Sequence, residues 1–320
     1  MSFTIEHRKD KDLSVVRLQD NATNTIVDIL PAYGALLHAF SIPVNGTPFN
    51  IVDNYADQAD VARDLAISYK SSKLSPFVCR LNEGKYEFDG ETYEIANKFG
   101  DGNAIHGLLY NKAFKVADEF SDDNQASVTL RYHYKREDPG YPFDYVCEVR
   151  YTLHTGSTLQ VETTLINLDE EVIPVADGWH PYFQLGLPVN ECFLQFRSDK
   201  MLEFTDKLIP TGKLLDEPAF RDGGLLGDRQ LDNCFLLEIE EGAPCCVLHN
   251  PENLLTLSIY SNTRYPYLQL YTPPHRRSIA IENLSGAPDC FNNGMGLRTL
   301  QPASSEAFNV WYRLGIVENN

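Results

Sequence analysis

The chain has 320 residues, 43% of them hydrophobic and 11% aromatic, which is ample material for a large packed core. Its formal charge of −18 argues against nucleic acid and an anionic membrane surface as partners, because both are bound through basic footprints. No apolar run approaches the ~20 residues of a membrane span, and the polar stretch from Met1 to Asp12 lacks the apolar region of a secretory leader.

The seven cysteines, Cys79, Cys147, Cys192, Cys234, Cys245, Cys246 and Cys290, are scattered and show no CxxC spacing. They read as small buried hydrophobes in a reducing compartment, so neither a disulfide framework nor a metal cluster is expected, and a cytoplasmic location is.

Taken along the chain, residues 56–73 have the one helical composition, with irregular apolar spacing. The run Pro76-Phe77-Val78-Cys79-Arg80-Leu81-Asn82 ends in an arginine and an asparagine; such an arginine ordinarily pairs with a surface acid. In Asn103-Ala104-Ile105-His106-Gly107 an imidazole precedes a glycine, the residue that lets a backbone approach a ligand closely. Strand signals then dominate. Tyr145, Cys147, Val149, Tyr151 and Leu153 form one face of a period-two pattern, and Glu148, Arg150, Thr152 and His154 form the other. Gly156 marks a turn, and Leu159, Val161, Thr163 and Leu165 continue the alternation, which predicts a hairpin. Similar runs occupy 127–135, 192–197, 234–239, 254–260, Tyr267–Tyr271 and 307–314, separated by turn residues at antiparallel spacing. With no linker, repeat or low-complexity tract, residues 1–320 read as one all-β domain, a large antiparallel β-sandwich.

Four further segments carry chemistry. In Trp179-His180-Pro181-Tyr182 the proline biases the histidine toward extended geometry at a strand end or edge. Aromatic rings beside an acid/base group suit a sugar, whose C–H face packs on rings while its hydroxyls seek hydrogen bonds. Asp232 lies just before a strand, where a turn-capping aspartate is the simplest expectation. His275-Arg276-Arg277 is the densest basic cluster; it suits a phosphate, but such a cluster is more often an exposed turn. Finally, Ile279-Ala280-Ile281-Glu282 is a short apolar run ending on a lone carboxylate before a turn cluster with Gly286 and Pro288. It predicts a strand that delivers a fixed acid to its own end, as general-base work requires. P-loop, strand–GxGxxG–helix, HExxH and GxSxG patterns are missing, which argues against nucleotide-driven and nucleophilic-serine chemistry.

Read in order, from roughly residue 10 to 315, these segments resemble the aldose 1-epimerase (galactose mutarotase-like) family. Arg80 and Asn82, with the hairpin after them, are similar to the family's arginine segment, Asn103 to Gly107 to its first histidine motif, and Trp179 to Leu185 to its second. Asp232 with Phe235 resembles its sugar-binding aspartate, and Glu282 with Gly286, Pro288, Asp289 and Asn292 its catalytic glutamate segment. Two departures stand out: Gly107 is followed by Leu108, and the second histidine has Trp179 and Pro181 as neighbours.

The resemblance implies a supersandwich fold and an enzyme that interconverts the α and β anomers of a hexose, with Glu282 as base and His180 as acid. Arg80, His106, Asp232, Asn82 and Trp179 would contact the sugar. No metal or organic cofactor is implied, and the protein would act as a monomer or homodimer. Two alternatives stay open: a hexose 6-phosphate epimerase using Arg276 and Arg277, and a non-catalytic carbohydrate-binding protein of the same fold.

Overall fold

The computed structural model describes residues 1–317, and it is built almost entirely from antiparallel ladders. A five-stranded meander comes first, from Phe3–Asp10 through Leu13–Asp20, Thr25–Leu30 and Leu36–Val44 to Thr47–Asn50. A nine-stranded sheet follows the order Lys115–Ser121, Gln125–Lys135, Asp144–His154, Thr158–Asn167, Ser305–Ile316, Leu255–Ser261, Cys246–His249, Phe193–Phe196 and Gly224–Leu225. An eight-stranded sheet has Tyr267–Tyr271 and Ile279–Leu284 at its centre. Asp232–Leu236, Lys200–Phe204 and Pro210–Asp216 extend it on one side, and Gly178–Trp179 and Lys73–Leu74 on the other, with Tyr182–Phe183 also on Ile279–Leu284.

The expected hairpin is present: Asp144–His154 pairs with Thr158–Asn167 across the turn at Gly156. All five residues of its apolar face, Tyr145, Cys147, Val149, Tyr151 and Leu153, are 0% exposed. Burying each such side chain contributes about 1.5–3 kcal/mol. The tyrosines among them also satisfy their hydroxyls: Tyr151 donates to the Ala35 carbonyl at 2.7 Å, and the Tyr145 and Ser75 hydroxyls lie 3.2 Å apart. The eight- and nine-stranded sheets pack face to face. Trp179 meets Tyr151 at 6.0 Å between ring centroids, and Phe183 meets Tyr312 at 5.5 Å. All seven cysteines are buried and free, and no described helix is long and apolar enough to cross a membrane.

The helical composition of 56–73 yields a shorter helix, Gln58–Ser68. Asp57 caps it by accepting the Asp60 amide at 2.8 Å, and Tyr69 ends it in the left-handed region at φ 51°. Only Val61 and Leu65 of the helix are buried, which accounts for its irregular spacing. Beyond Tyr69 the chain turns back as a strand that pairs Lys73 with Trp179.

Candidate active site

Period-two geometry assembles the site on one face of the eight-stranded sheet. Glu282 pairs with Gln269, and Asp232 pairs with Tyr271, so residues from three adjacent strands share that face. His180 continues its strand beyond Trp179: its amide donates to the Ser72 carbonyl at 3.1 Å, and its carbonyl accepts from Ser71 at 2.8 Å. Glu282 does not stand at a strand tip as its sequence context suggests. It is the fourth residue of Ile279–Leu284, and the ladder runs on until Leu284 pairs with Tyr267. The strand is paired on both sides, so Asn283 and Leu284 stay in register despite their turn-like neighbours.

A cleft of ≈ 440 Å³ opens over this face, and Arg80, His106, His180, Asp232, Gln269 and Glu282 all reach it. His180 Nε2 lies 3.3 Å from Glu282 Oε1, with the two side chains 6% and 2% exposed. The His106 ring meets His180 edge-on at 4.8 Å between centroids, and Tyr182 stacks on the other side of His180 at 5.0 Å. Asp232 Oδ1 accepts from Gln269 Nε2 at 2.8 Å, and Arg80 Nε donates to Asp101 Oδ2 at 3.2 Å. His106 sits at φ 58° and Gly107 at φ 73°. A Cβ on Gly107 would come within 2.3 Å of the Ser75 carbonyl oxygen, so the close approach this glycine permits is to a neighbouring strand.

Burial sets the electrostatics. Desolvation raises the Glu282 carboxyl well above its ordinary value, and nearby Asp232 pushes it the same way. Desolvation lowers the His180 imidazole to about 4. His106 is lowered well below its usual range by burial, then by His180 and Arg80. Asp232 is raised by burial, with Arg80 and Gln269 partly opposing the shift. Glu282 Oε2, His180 Nδ1, His106 Nδ1 and Gln269 Oε1 are buried with no hydrogen-bond partner among the described residues. Leaving such a group unmet costs about 1–3 kcal/mol. All four belong to residues that line this cleft.

Three sequence expectations change here. Trp179 does not reach the cleft. As the neighbour of His180 in an extended strand it points to the opposite face, where it covers Tyr151 and the Lys73 ammonium at 4.4 Å. Asn82 also stays off the cleft lining; it opens a short 3₁₀ turn, and its amide donates to Asp289 Oδ1 at 2.9 Å. Arg276 is spent on the fold, donating to Asn190 Oδ1 at 2.8 Å, the Arg229 carbonyl at 2.8 Å and the Gly227 carbonyl at 2.6 Å. Neither Arg276 nor Arg277 lines the cleft, although His275 does. Conversely, Gln269, Tyr271, Tyr69, Lys70 and Asp101 were not anticipated. Only Gln269 carried a signal, a lone amide inside the apolar strand Tyr267–Tyr271.

Comparison with known proteins bears on the family and the fold. Residues 14–313 match the family model described as aldose 1-epimerase. A protein of Escherichia coli K12 described as uncharacterized, YihR, is 24% identical over 255 residues, 78% of this chain and 80% of its own. A galactose mutarotase-like protein from Clostridium acetobutylicum superposes with a TM-score of 0.87 at 17% identity, over 99% of both chains. A galactose 1-epimerase from Lactobacillus acidophilus superposes with a TM-score of 0.78 at 19% identity, over 98% of both chains. With the family model spanning nearly the whole sequence, and with an all-β fold shared along its length, this chain belongs to the aldose 1-epimerase family.

Proposed function

We propose that the protein is an active aldose 1-epimerase for a neutral hexose, with Glu282 and His180 as its proton-transfer pair. The observation that carries this reading is the buried contact of 3.3 Å between an imidazole and a carboxylate whose remaining polar atoms are unpartnered. A protein that only bound sugar would gain nothing from two titratable groups sharing one proton at that separation.

Glu282, as carboxylate, takes the proton from the anomeric hydroxyl while His180, as imidazolium, gives its proton to the ring oxygen. The bond between C1 and the ring oxygen breaks and leaves an aldehyde. Rotation about C1–C2 then presents the other face, and the same two transfers run backward. After ring opening the carboxyl and the imidazole are both neutral, the charge state that burial favours in both groups. Desolvation therefore lowers the energy of the open-chain complex relative to the ion pair, where a mutarotase needs help. In this reading His106, Arg80, Asp232 and Gln269, which line the same cleft, hold ring hydroxyls. The family member from Lactobacillus acidophilus is a galactose 1-epimerase by name, which supports a hexose as substrate. Engagement of Arg276 by three oxygen acceptors favours a neutral sugar over a phosphorylated one.

The test is anomeric exchange, followed by polarimetry or saturation-transfer NMR, on galactose, glucose and their 6-phosphates. Acceleration of a free hexose that exceeds that of its 6-phosphate is expected. Sugar binding without acceleration of any of the four would establish a binding protein instead.

A further inference from the structure

A thiol stands beside the proton-transfer pair, and acid/base epimerisation has no use for it. Cys79 Sγ, a ring nitrogen of His106 and a carboxylate oxygen of Glu282 all lie within 4.8 Å of one another. The three residues are 6%, 8% and 1% exposed, and all reach the cleft wall. Two of them are locked together through the backbone, since the His106 amide donates to the Cys79 carbonyl at 2.9 Å, and Cys79 itself is held at φ 48°. Glu282 is fixed by a central strand with ladders on both sides. His106 Nδ1 and Glu282 Oε2 have no hydrogen-bond partner among the described residues, so ligand capacity is present and unspent.

We propose that Cys79, His106 and Glu282 form a binding site for a zinc-class divalent cation, and that its occupancy inhibits the enzyme by capturing Glu282. The donor set selects the metal. One sulfur, one nitrogen and one oxygen suit a borderline-soft ion such as Zn²⁺, whereas Mg²⁺ and Ca²⁺ take oxygen ligands. Zinc bonds of about 2.0–2.3 Å put tetrahedral donors roughly 3.3–3.8 Å apart. Closing to that spacing shortens these separations by about 1.5 Å at most, within the reach of side-chain torsions of Glu282 and Cys79. The fourth position faces the cleft and takes water or a sugar hydroxyl. As the cation binds, the thiol proton leaves to solvent, together with any proton on the carboxyl, so the ion meets a thiolate, a neutral imidazole and a carboxylate. Glu282 then coordinates metal and is unable to accept the anomeric proton.

Metal binding stands on geometry alone; its inhibitory consequence rests on the proposed epimerase function. The experiment separates the two. Metal-free protein is titrated with Co²⁺ and watched for a thiolate-to-cobalt charge-transfer band, then with Zn²⁺ by calorimetry, and anomeric exchange is measured across the Zn²⁺ series. One equivalent of metal is expected, with a cobalt–thiolate band that disappears in Cys79→Ser. Zn²⁺ affinity should fall at least tenfold in Cys79→Ser and in Glu282→Gln. Inhibition of exchange should follow the wild-type calorimetric curve and require at least tenfold more Zn²⁺ in Cys79→Ser. A wild-type protein with no stoichiometric Co²⁺ or Zn²⁺ binding overturns the site, as does a band unchanged in Cys79→Ser. If the band forms and the protein accelerates no sugar, the site stands and the epimerase reading falls.

Discussion

Two acid–base pairs lie buried on opposite faces of the eight-stranded sheet, and their surroundings differ. Lys73 and Asp177 face the interior between the sheets, both 0% exposed, with Nζ 2.5 Å from Oδ1. Lys73 also donates to Thr163 Oγ1 at 3.2 Å and to the Gly178 carbonyl at 3.1 Å, and Tyr265 donates to Asp177 Oδ2 at 2.6 Å. Around His180 and Glu282 the opposite holds. The contact is longer, at 3.3 Å, and one polar atom on each side chain has no partner. Asp177 Oδ1 has only the Lys73 ammonium beside it, but every other polar atom of that pair is met within the protein, as a tie between sheets requires. The pair left shorter of partners is the one that lines the cleft.

The largest effect that tests this contrast is catalytic. Glu282→Gln and His180→Asn should each lower kcat for anomeric exchange by roughly 10²–10⁴-fold while the thermal midpoint holds or rises. Combining them should cost little more than either alone, because the pair acts as a unit. Near-normal turnover in folded Glu282→Gln would falsify the assignment.

Lys73→Met should do the reverse. Stripping the partner from a buried carboxylate costs about 3–5 kcal/mol, read in urea unfolding, while the folded fraction keeps kcat within a few-fold. A Lys73→Met protein of wild-type stability and collapsed kcat would show that the interior pair belongs to the chemistry.

Burial also makes His180 and Glu282 respond oppositely to pH. The His180 imidazole is lowered from 6.5 to about 4, so the unfolded chain binds the extra proton in that window and stability falls as pH drops through it. His180→Asn should therefore gain on the wild type as pH falls from 6.5, by about 1.4 kcal/mol per pH unit at most. The Glu282 carboxyl is raised above 4.5. The native state then holds the extra proton, and stability is lost as pH rises beyond 4.5. Glu282→Gln should accordingly gain on the wild type toward alkaline pH. Stability differences that stay flat from pH 4 to 8 in both variants would contradict the burial argument.

The smallest effect concerns the basic turn. Arg276→Ala should cost about 1–3 kcal/mol of stability through its unmet acceptors, and Arg277→Ala about 0.5 kcal/mol or less. Neither should change KM for a free hexose, whereas a tenfold rise in KM for a hexose 6-phosphate in Arg277→Ala would return that turn to the site.

The strands were legible because alternation is a local property: Tyr145 to Leu153 announce a buried face whatever they pack against. The acid and the two histidines were also legible, as polar residues set in apolar or turn-punctuated runs. Trp179 and Asn82 stand beside the histidine and arginine motifs in sequence, yet neither lines the cleft: proximity along the chain is not proximity in space. In an extended strand the adjacent residue faces away, which sends Trp179 to Lys73 and leaves His180 in the cleft.

By itself, then, the amino-acid order determined an antiparallel all-β chain and singled out Glu282, His180, His106, Arg80 and Asp232 as candidates, all of which line one cleft. Only the tertiary structure decided that Glu282 lies within a ladder instead of at its end, that Gln269 is its neighbour, that Arg276 serves the fold, and that Cys79 converges on His106 and Glu282. Strand registers bring residues as far apart as Thr158 and Arg313 into contact, and that pairing is set by core packing between sheets, to which no local pattern gives access.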